Sequence, residues 1–276
     1  MTQPESNDNN NKSPDEDKSL ENLLPIDEHV EEVAENGQKV VHRGVYLLPN
    51  LITTGALFSG FYAIIAGMHQ NFEAAAIAIF VAMILDGLDG RVARMTNTAS
   101  EFGVQYDSLS DMVSFGLAPA MVVFSWGFAE LGKFGWTAAF TYAACAALRL
   151  ARFNTQVDVV DKRYFVGLAS PAAAAIVAGI VWQWNDVLLS TEVAMVVALV
   201  TIFAGLLMVS NVKYNSFKGI DLRGRVPFVV MLAVVIGFAV VSSAPSTMLL
   251  VIFGLYGLSG PVLWCWRLFR PVEPAS

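Results

Sequence analysis

The sequence predicts an all-α, polytopic membrane protein of about eight transmembrane helices with both termini cytoplasmic, and three observations predict it. Hydrophobic residues make up 55% of the 276-residue chain and charged residues only 15%, with a mean hydropathy of +0.54, well outside the range of a soluble domain. Eight apolar stretches follow a polar tail, each close to the ~20 residues that cross a bilayer. From Lys39 to Arg270, fourteen basic residues fall on one side and Lys133 alone on the other, so the positive-inside rule makes the first side cytoplasmic.

Residues 1–44 form an acidic tail. Residues 1–43 carry 11 of the 24 acidic and 4 of the 17 basic side chains, so the net charge of -7 belongs to this segment and the rest of the chain is neutral. The low isoelectric point therefore says nothing of a substrate, and no nucleic-acid partner is expected. Residues 1–19 bury too little to fold and are expected to be disordered. Residues 20–35 show a weak helical period with Glu28, Glu31, Glu32 and Glu35 on the opposite face. An acidic face is repelled by anionic lipid, which predicts a short solvated helix rather than an anchor. The N-terminus has neither a basic n-region nor an apolar h-region, so the first apolar span is expected to act as the insertion signal.

The apolar spans are read at 50–68, 72–93, 106–128, 132–153, 166–185, 190–210, 226–243 and 246–267. The first opens with Pro49 and Asn50 and continues through Thr53, Thr54, Gly55, Ala56, Ser59 and Gly60, small residues that let helices approach closely. Asn50, an amide at the cytoplasmic end of a span, is available to hydrogen-bond a ligand. The second, third and fourth spans carry charges inside one end. Cys145 and Cys265 lie in apolar segments without metal-ligand spacing, and His29, His42 and His69 are scattered; none forms a disulfide or thiolate framework.

The stretch 86–111, DGLDGRVARMTNTASEFGVQYDSLSD, sets four aspartates among mostly apolar neighbours. Asp86 and Asp89 are spaced i, i+3 and Asp107 and Asp111 i, i+4, so each pair projects from one helix face. Clustered carboxylates withdrawn from water need a compensating cation or must protonate, and a divalent metal supplies that compensation directly. Structural intramembrane acids are expected singly and paired with Lys or Arg, and here the neighbouring arginines are too few. Oxygen-only ligation suits Mg²⁺ or Mn²⁺ rather than zinc or copper. Gly87, Gly90, Ala93 and Gly103 leave space beside the acids, and Arg94 adds a cation at its mouth. A second basic patch, Arg149 and Arg152 with Asn154, suits an acceptor carboxylate or a lipid phosphate. Membrane anchoring by the same arginines is the alternative.

Read as D-x-x-D-G-x-x-A-R-(x)8-G-x-x-x-D-x-x-x-D, the residues Asp86, Asp89, Gly90, Ala93, Arg94, Gly103, Asp107 and Asp111 resemble the signature of the CDP-alcohol phosphatidyltransferases. Residues 100–120, 147–154, 165–175 and 213–218 are similar to the bacterial membrane-embedded phosphatidylserine synthases. Ala169 departs from the proline expected before Ser170. The resemblance covers roughly residues 45–220 and makes them the catalytic helices, leaving 221–276 as a C-terminal helix pair.

The resemblance implies two divalent metals, Mg²⁺ or Mn²⁺, held by Asp86, Asp89, Asp107 and Asp111, with Asp111 also the general base. It implies a CDP site lined by Gly90, Ala93 and Arg94, to which Asn50 and Gly103 are added here on position. The expected reaction joins CDP-diacylglycerol to L-serine, giving phosphatidylserine and CMP, in a homodimer of the bacterial inner membrane whose site faces the cytoplasm. The same chemistry on glycerol phosphate or an inositol phosphate is the alternative. A divalent-cation transporter is the rival from another class, although its acids would be expected nearer the membrane midplane.

Overall fold

The structure, a computed structural model, describes residues 30–35, 38–43, 47–96, 100–155, 164–215 and 228–268. Its contacts divide the chain into two units, residues 1–45 and 46–276.

In the first unit, β1 (Val30–Glu35) pairs antiparallel with β2 (Gln38–Arg43), in a register running from Val30 opposite Arg43 to Glu35 opposite Gln38. This corrects the solvated helix expected over residues 20–35, whose last six residues are a strand. The β-branched Val30, Val33, Val40 and Val41 favour extended backbone. Between the strands stands Asn36-Gly37, the sequence pair that most strongly favours a two-residue hairpin loop. The remainder of that expected helix and the expected disorder of residues 1–19 lie outside the described residues.

The second unit holds eight helical bodies among the described residues. They are α1 (Leu47–Met68), α2 (Phe72–Met95), α3 (Glu101–Leu131), α4 (Lys133–Thr155), α5 (Ser170–Gln183), α6 (Thr191–Val209), α7 (Phe228–Ser243) and α8 (Pro245–Leu268). Each coincides with one apolar stretch of the sequence. Four of them, α1, α3, α6 and α8, are long and apolar enough to cross a membrane by length and composition. Helix α5 has 14 residues, about 21 Å at 1.5 Å per residue, and α2 and α4 carry charged ends. Eight helical bodies stand where eight crossings are expected, and four of them meet the length and hydropathy of a full span.

The starts of these helices are written in the sequence. Asn71 accepts a hydrogen bond from the Ala74 amide, Ser100 from Gly103 and Ser190 from Val193. Glu73, Glu101 and Glu192 stand in the corresponding first turns, where the helix dipole favours an acid. Helix α3 is irregular inside: α-helical to Asp111, π-helical over Met112–Leu117, α-helical over Ala118–Val123 and π-helical again over Phe124–Phe128. Pro119 has no N–H for the preceding turn. The fully buried Tyr142 of α4 donates its hydroxyl to the Phe115 carbonyl at 3.0 Å, satisfying a group left in that irregular stretch.

Small residues bring α1 against α2 and α3. Ser59 Oγ donates to the Ala78 carbonyl of α2 at 2.9 Å. Ser110 and Ser114, one turn apart on α3, donate to the carbonyls of Thr53 and Ala56 at 3.2 and 3.1 Å. A Cβ on Gly60 would lie 2.7 Å from Ser114 Cα, so the contact admits only glycine.

Two short strands, β3 (Tyr164–Val166) and β4 (Lys213–Asn215), pair antiparallel beside the start of α5, a second departure from an all-helical chain. The fifth apolar span, expected from residue 166, becomes helical only at Ser170. Gly167 turns the chain with φ 82°, a conformation that glycine adopts at no steric cost. Ala169 holds φ at -61°, the angle that proline would impose, so its departure from the expected proline leaves the backbone path unchanged.

Candidate metal centre and adjoining cavity

Helices α2 and α3 bring their acids to one place because each pair is spaced to share a face. One carboxylate oxygen from each of Asp86, Asp89 and Asp107 lies within 4.8 Å of the others. Asp111, one turn after Asp107 on α3, stands within electrostatic reach of Asp86 and Asp107, which places the fourth acid beside the cluster. Asp89 is 4% exposed. Its Oδ2 accepts from Thr53 Oγ1 at 2.7 Å, and its Oδ1 accepts from the Gly90 amide.

The donor set fits a hard divalent cation. Asp107 Oδ1 is buried and finds no hydrogen-bond partner among the described residues, an orphaned acceptor of the kind a cation satisfies. The cluster consists of oxygen ligands alone, which favours Mg²⁺ or Mn²⁺.

Beside the acids opens a cavity of about 250 Å³. Asn50, Asp89, Gly90, Ala93, Arg94, Gly103 and Asp107 line it together with Pro49, Thr53, Ser100, Val104 and Phe153. All five residues placed in the CDP site on sequence grounds thus meet around one space. Asn50 Nδ2 is buried there without a hydrogen-bond partner among the described residues. A Cβ on Gly90 would point into open space, with Arg94 Nη2 nearest at 4.0 Å. Nothing among the described residues requires a glycine at that position. An arginine, an orphaned amide and an acid cluster around open volume suit an anionic ligand that brings its own cation.

The second basic patch does not act as a pair. Arg149 donates to Ser170 Oγ at 2.6 Å, lies within electrostatic reach of Asp111, and keeps a buried Nε without a partner among the described residues. Arg152 turns to the end of α6, donating to the Val209 carbonyl at 3.3 Å and to Asn211 Oδ1 at 2.8 Å. Asn154 donates to Ser108 Oγ at 3.0 Å. None of the three lines the cavity. Tyr214 is also structural: it is 1% exposed and donates to the Gly257 carbonyl at 3.0 Å. Burial and the neighbouring Tyr256 push its phenol up to about 12, which keeps it a donor. Lys218 lies outside the described residues.

Sequence reasoning missed Thr53 and Phe153. Thr53 stood among the small packing residues of the first span, and no motif or period marks a hydroxyl whose partner is 36 residues away. Phe153, beside Asn154, is the residue of that pair that faces the cavity.

Residues 46–207 match the family model described as CDP-alcohol phosphatidyltransferase. A Helicobacter pylori protein described as "CDP-diacylglycerol--serine O-phosphatidyltransferase" is 34% identical over 227 residues, 82% of this chain and 94% of its own length. A Bacillus subtilis protein of the same description is 34% identical over 171 residues, 62% of this chain and 91% of its own. One from Methanocaldococcus jannaschii is 31% identical over 217 residues, 78% of this chain and 94% of its own.

Proposed function

Since this chain belongs to the CDP-alcohol phosphatidyltransferase family, we propose that it transfers a phosphatidyl group from CDP-diacylglycerol to L-serine, giving phosphatidylserine and CMP. The observation that carries this reading is the convergence of Asp86, Asp89 and Asp107 at the edge of a cavity lined by Asn50, Gly90, Ala93, Arg94 and Gly103. Relatives that this chain matches over nearly their whole length are described as acting on serine. Family membership removes the transporter reading.

In this proposal the nucleotide diphosphate lies in the cavity. Arg94 meets its charge, Asn50 offers its unpaired amide, and Gly90 and Ala93 let it approach the helix backbone. Two divalent ions held by Asp86, Asp89, Asp107 and Asp111 would neutralise the diphosphate and polarise the phosphorus. Asp111 takes the proton of the serine hydroxyl as its oxygen bonds to the phosphorus that carries the diacylglycerol. The anhydride P–O bond breaks, and CMP leaves with the electron pair. Arg149, beside Asp111 with one N–H unused, receives the serine carboxylate. Arg152 is occupied at the end of α6 and is not assigned to the acceptor.

The catalytic unit is residues 45–220, with the acidic tail 1–44 and the helix pair 221–276 outside the chemistry. The enzyme is a homodimer of the bacterial inner membrane, with both termini and the site on the cytoplasmic side where the basic loops lie. The test is CMP release by purified protein in detergent, with CDP-diacylglycerol, Mg²⁺ or Mn²⁺, and serine, glycerol phosphate or an inositol phosphate in turn. Release is expected with serine and is expected to stop when the metal is chelated. Release driven by a phosphate-bearing acceptor instead would overturn the assignment of serine.

A further inference from the structure

Thr53 stands where three helices meet, and bonds to α2 and α3 hold its helix on both sides. On one side Ser110 Oγ donates to the Thr53 carbonyl at 3.2 Å, and Ser114 Oγ to that of Ala56 at 3.1 Å. The close approach at Gly60 holds α1 and α3 together beyond these bonds. On the other side Ser59 Oγ binds the Ala78 carbonyl of α2 at 2.9 Å. From this position Thr53, 3% exposed, reaches Asp89.

Its hydroxyl has one proton and two acceptors within reach. The Pro49 carbonyl, one turn back on the same helix, lies at 3.1 Å, and Asp89 Oδ2 at 2.7 Å. A helical threonine ordinarily takes the first. The carboxylate is closer and the bond to it is charge-assisted, which makes it roughly twice as strong as a neutral one. Asp89 Oδ1 meanwhile accepts the amide of Gly90. Each oxygen thus holds one donor and keeps lone-pair capacity for a cation, and turning the carboxylate would break both bonds.

We propose that Thr53 is a positioning residue for the cation site, its hydroxyl holding the Asp89 carboxylate in the orientation that binds metal. The inference rests on reading the acid cluster as a metal site. Groups that orient a ligand in this way typically contribute 10- to 100-fold to metal affinity. The orientation of Asp89 is thereby tied to the packing of α1 on α3, so disturbance of that contact is felt at the cation.

The experiment measures Mn²⁺ binding to detergent-purified protein without nucleotide, by loss of the free-ion electron paramagnetic resonance signal. Thermal unfolding is followed in parallel. Thr53→Val keeps the shape and removes the donor; Thr53→Ser keeps the donor and removes the methyl. Thr53→Ala replaces the valine variant if that one does not fold. The expected result is about 10- to 100-fold weaker Mn²⁺ binding for Thr53→Val, with Thr53→Ser close to the parent. Equal affinity in Thr53→Val and the parent would overturn the proposal while leaving the metal site in place. Equal losses in both variants would overturn it in favour of packing by the methyl group. A parent protein that binds no Mn²⁺ would remove the metal reading itself, and this inference with it.

Discussion

Gly90→Ala separates a glycine kept for helix packing from one kept for a ligand. In the interior of α2, glycine costs about 1 kcal/mol relative to alanine. The added Cβ would meet no protein atom closer than Arg94 Nη2 at 4.0 Å. The substitution is therefore expected to raise stability by about 0.5 to 1 kcal/mol. The amide that donates to Asp89 Oδ1 is retained, so the acid cluster is untouched. The methyl group does enter the cavity of about 250 Å³. If the diphosphate lies against that helix surface, overpacking costs about 1 to 3 kcal/mol, roughly 5- to 150-fold in affinity. The assay is CMP release against CDP-diacylglycerol concentration, with the unfolding midpoint measured in the same detergent. A raised KM with an unchanged or higher midpoint is expected. A lowered midpoint would mean that the glycine serves packing, and an unchanged KM would mean that the nucleotide lies elsewhere.

At the acid cluster, Asp111→Asn is expected to lower turnover about 10²- to 10⁴-fold while CDP-diacylglycerol still binds at saturating metal. Asp86→Asn is expected to lose that binding as well, and equal large losses of affinity would leave Asp111 a ligand only. Gly60→Ala drives a methyl group to 2.7 Å from Ser114 Cα, so a lower unfolding midpoint is expected, by about 1 to 3 kcal/mol of overpacking less what alanine adds to the helix. Ser114→Ala should not rescue it, because the Cα and Cβ that alanine keeps lie 2.7 and 2.9 Å from the added methyl group; a midpoint equal to the parent's would show that the α1–α3 contact opens. Removing residues 1–43, tail and hairpin together, should leave specific activity within about tenfold, or 1.4 kcal/mol in the barrier, and a greater loss would give the hairpin a part in the site.

The positions of the helices were determined by the sequence alone. A backbone in lipid must satisfy its own hydrogen bonds, so an apolar stretch of sufficient length has little choice but helix. The acid cluster was equally legible, since i, i+3 and i, i+4 spacings are properties of one helix and survive any packing. The hairpin at Val30–Arg43 is legible too, in four valines and an Asn-Gly pair that outweigh the weak period of 3.6. Tertiary structure decided what lies between helices. Arg149 and Arg152 share a face by spacing, yet Ser170 draws one and the end of α6 the other, because the reach of a long side chain lets its neighbours choose its partner. The bond from Tyr142 to Phe115 depends on α4, which no local pattern of α3 records. Thr53 meets Asp89 across 36 residues because glycine and serine contacts set how closely α1 lies against its neighbours. Periodicity carries the face on which a residue sits, and only the packing of one helix on another carries what it touches.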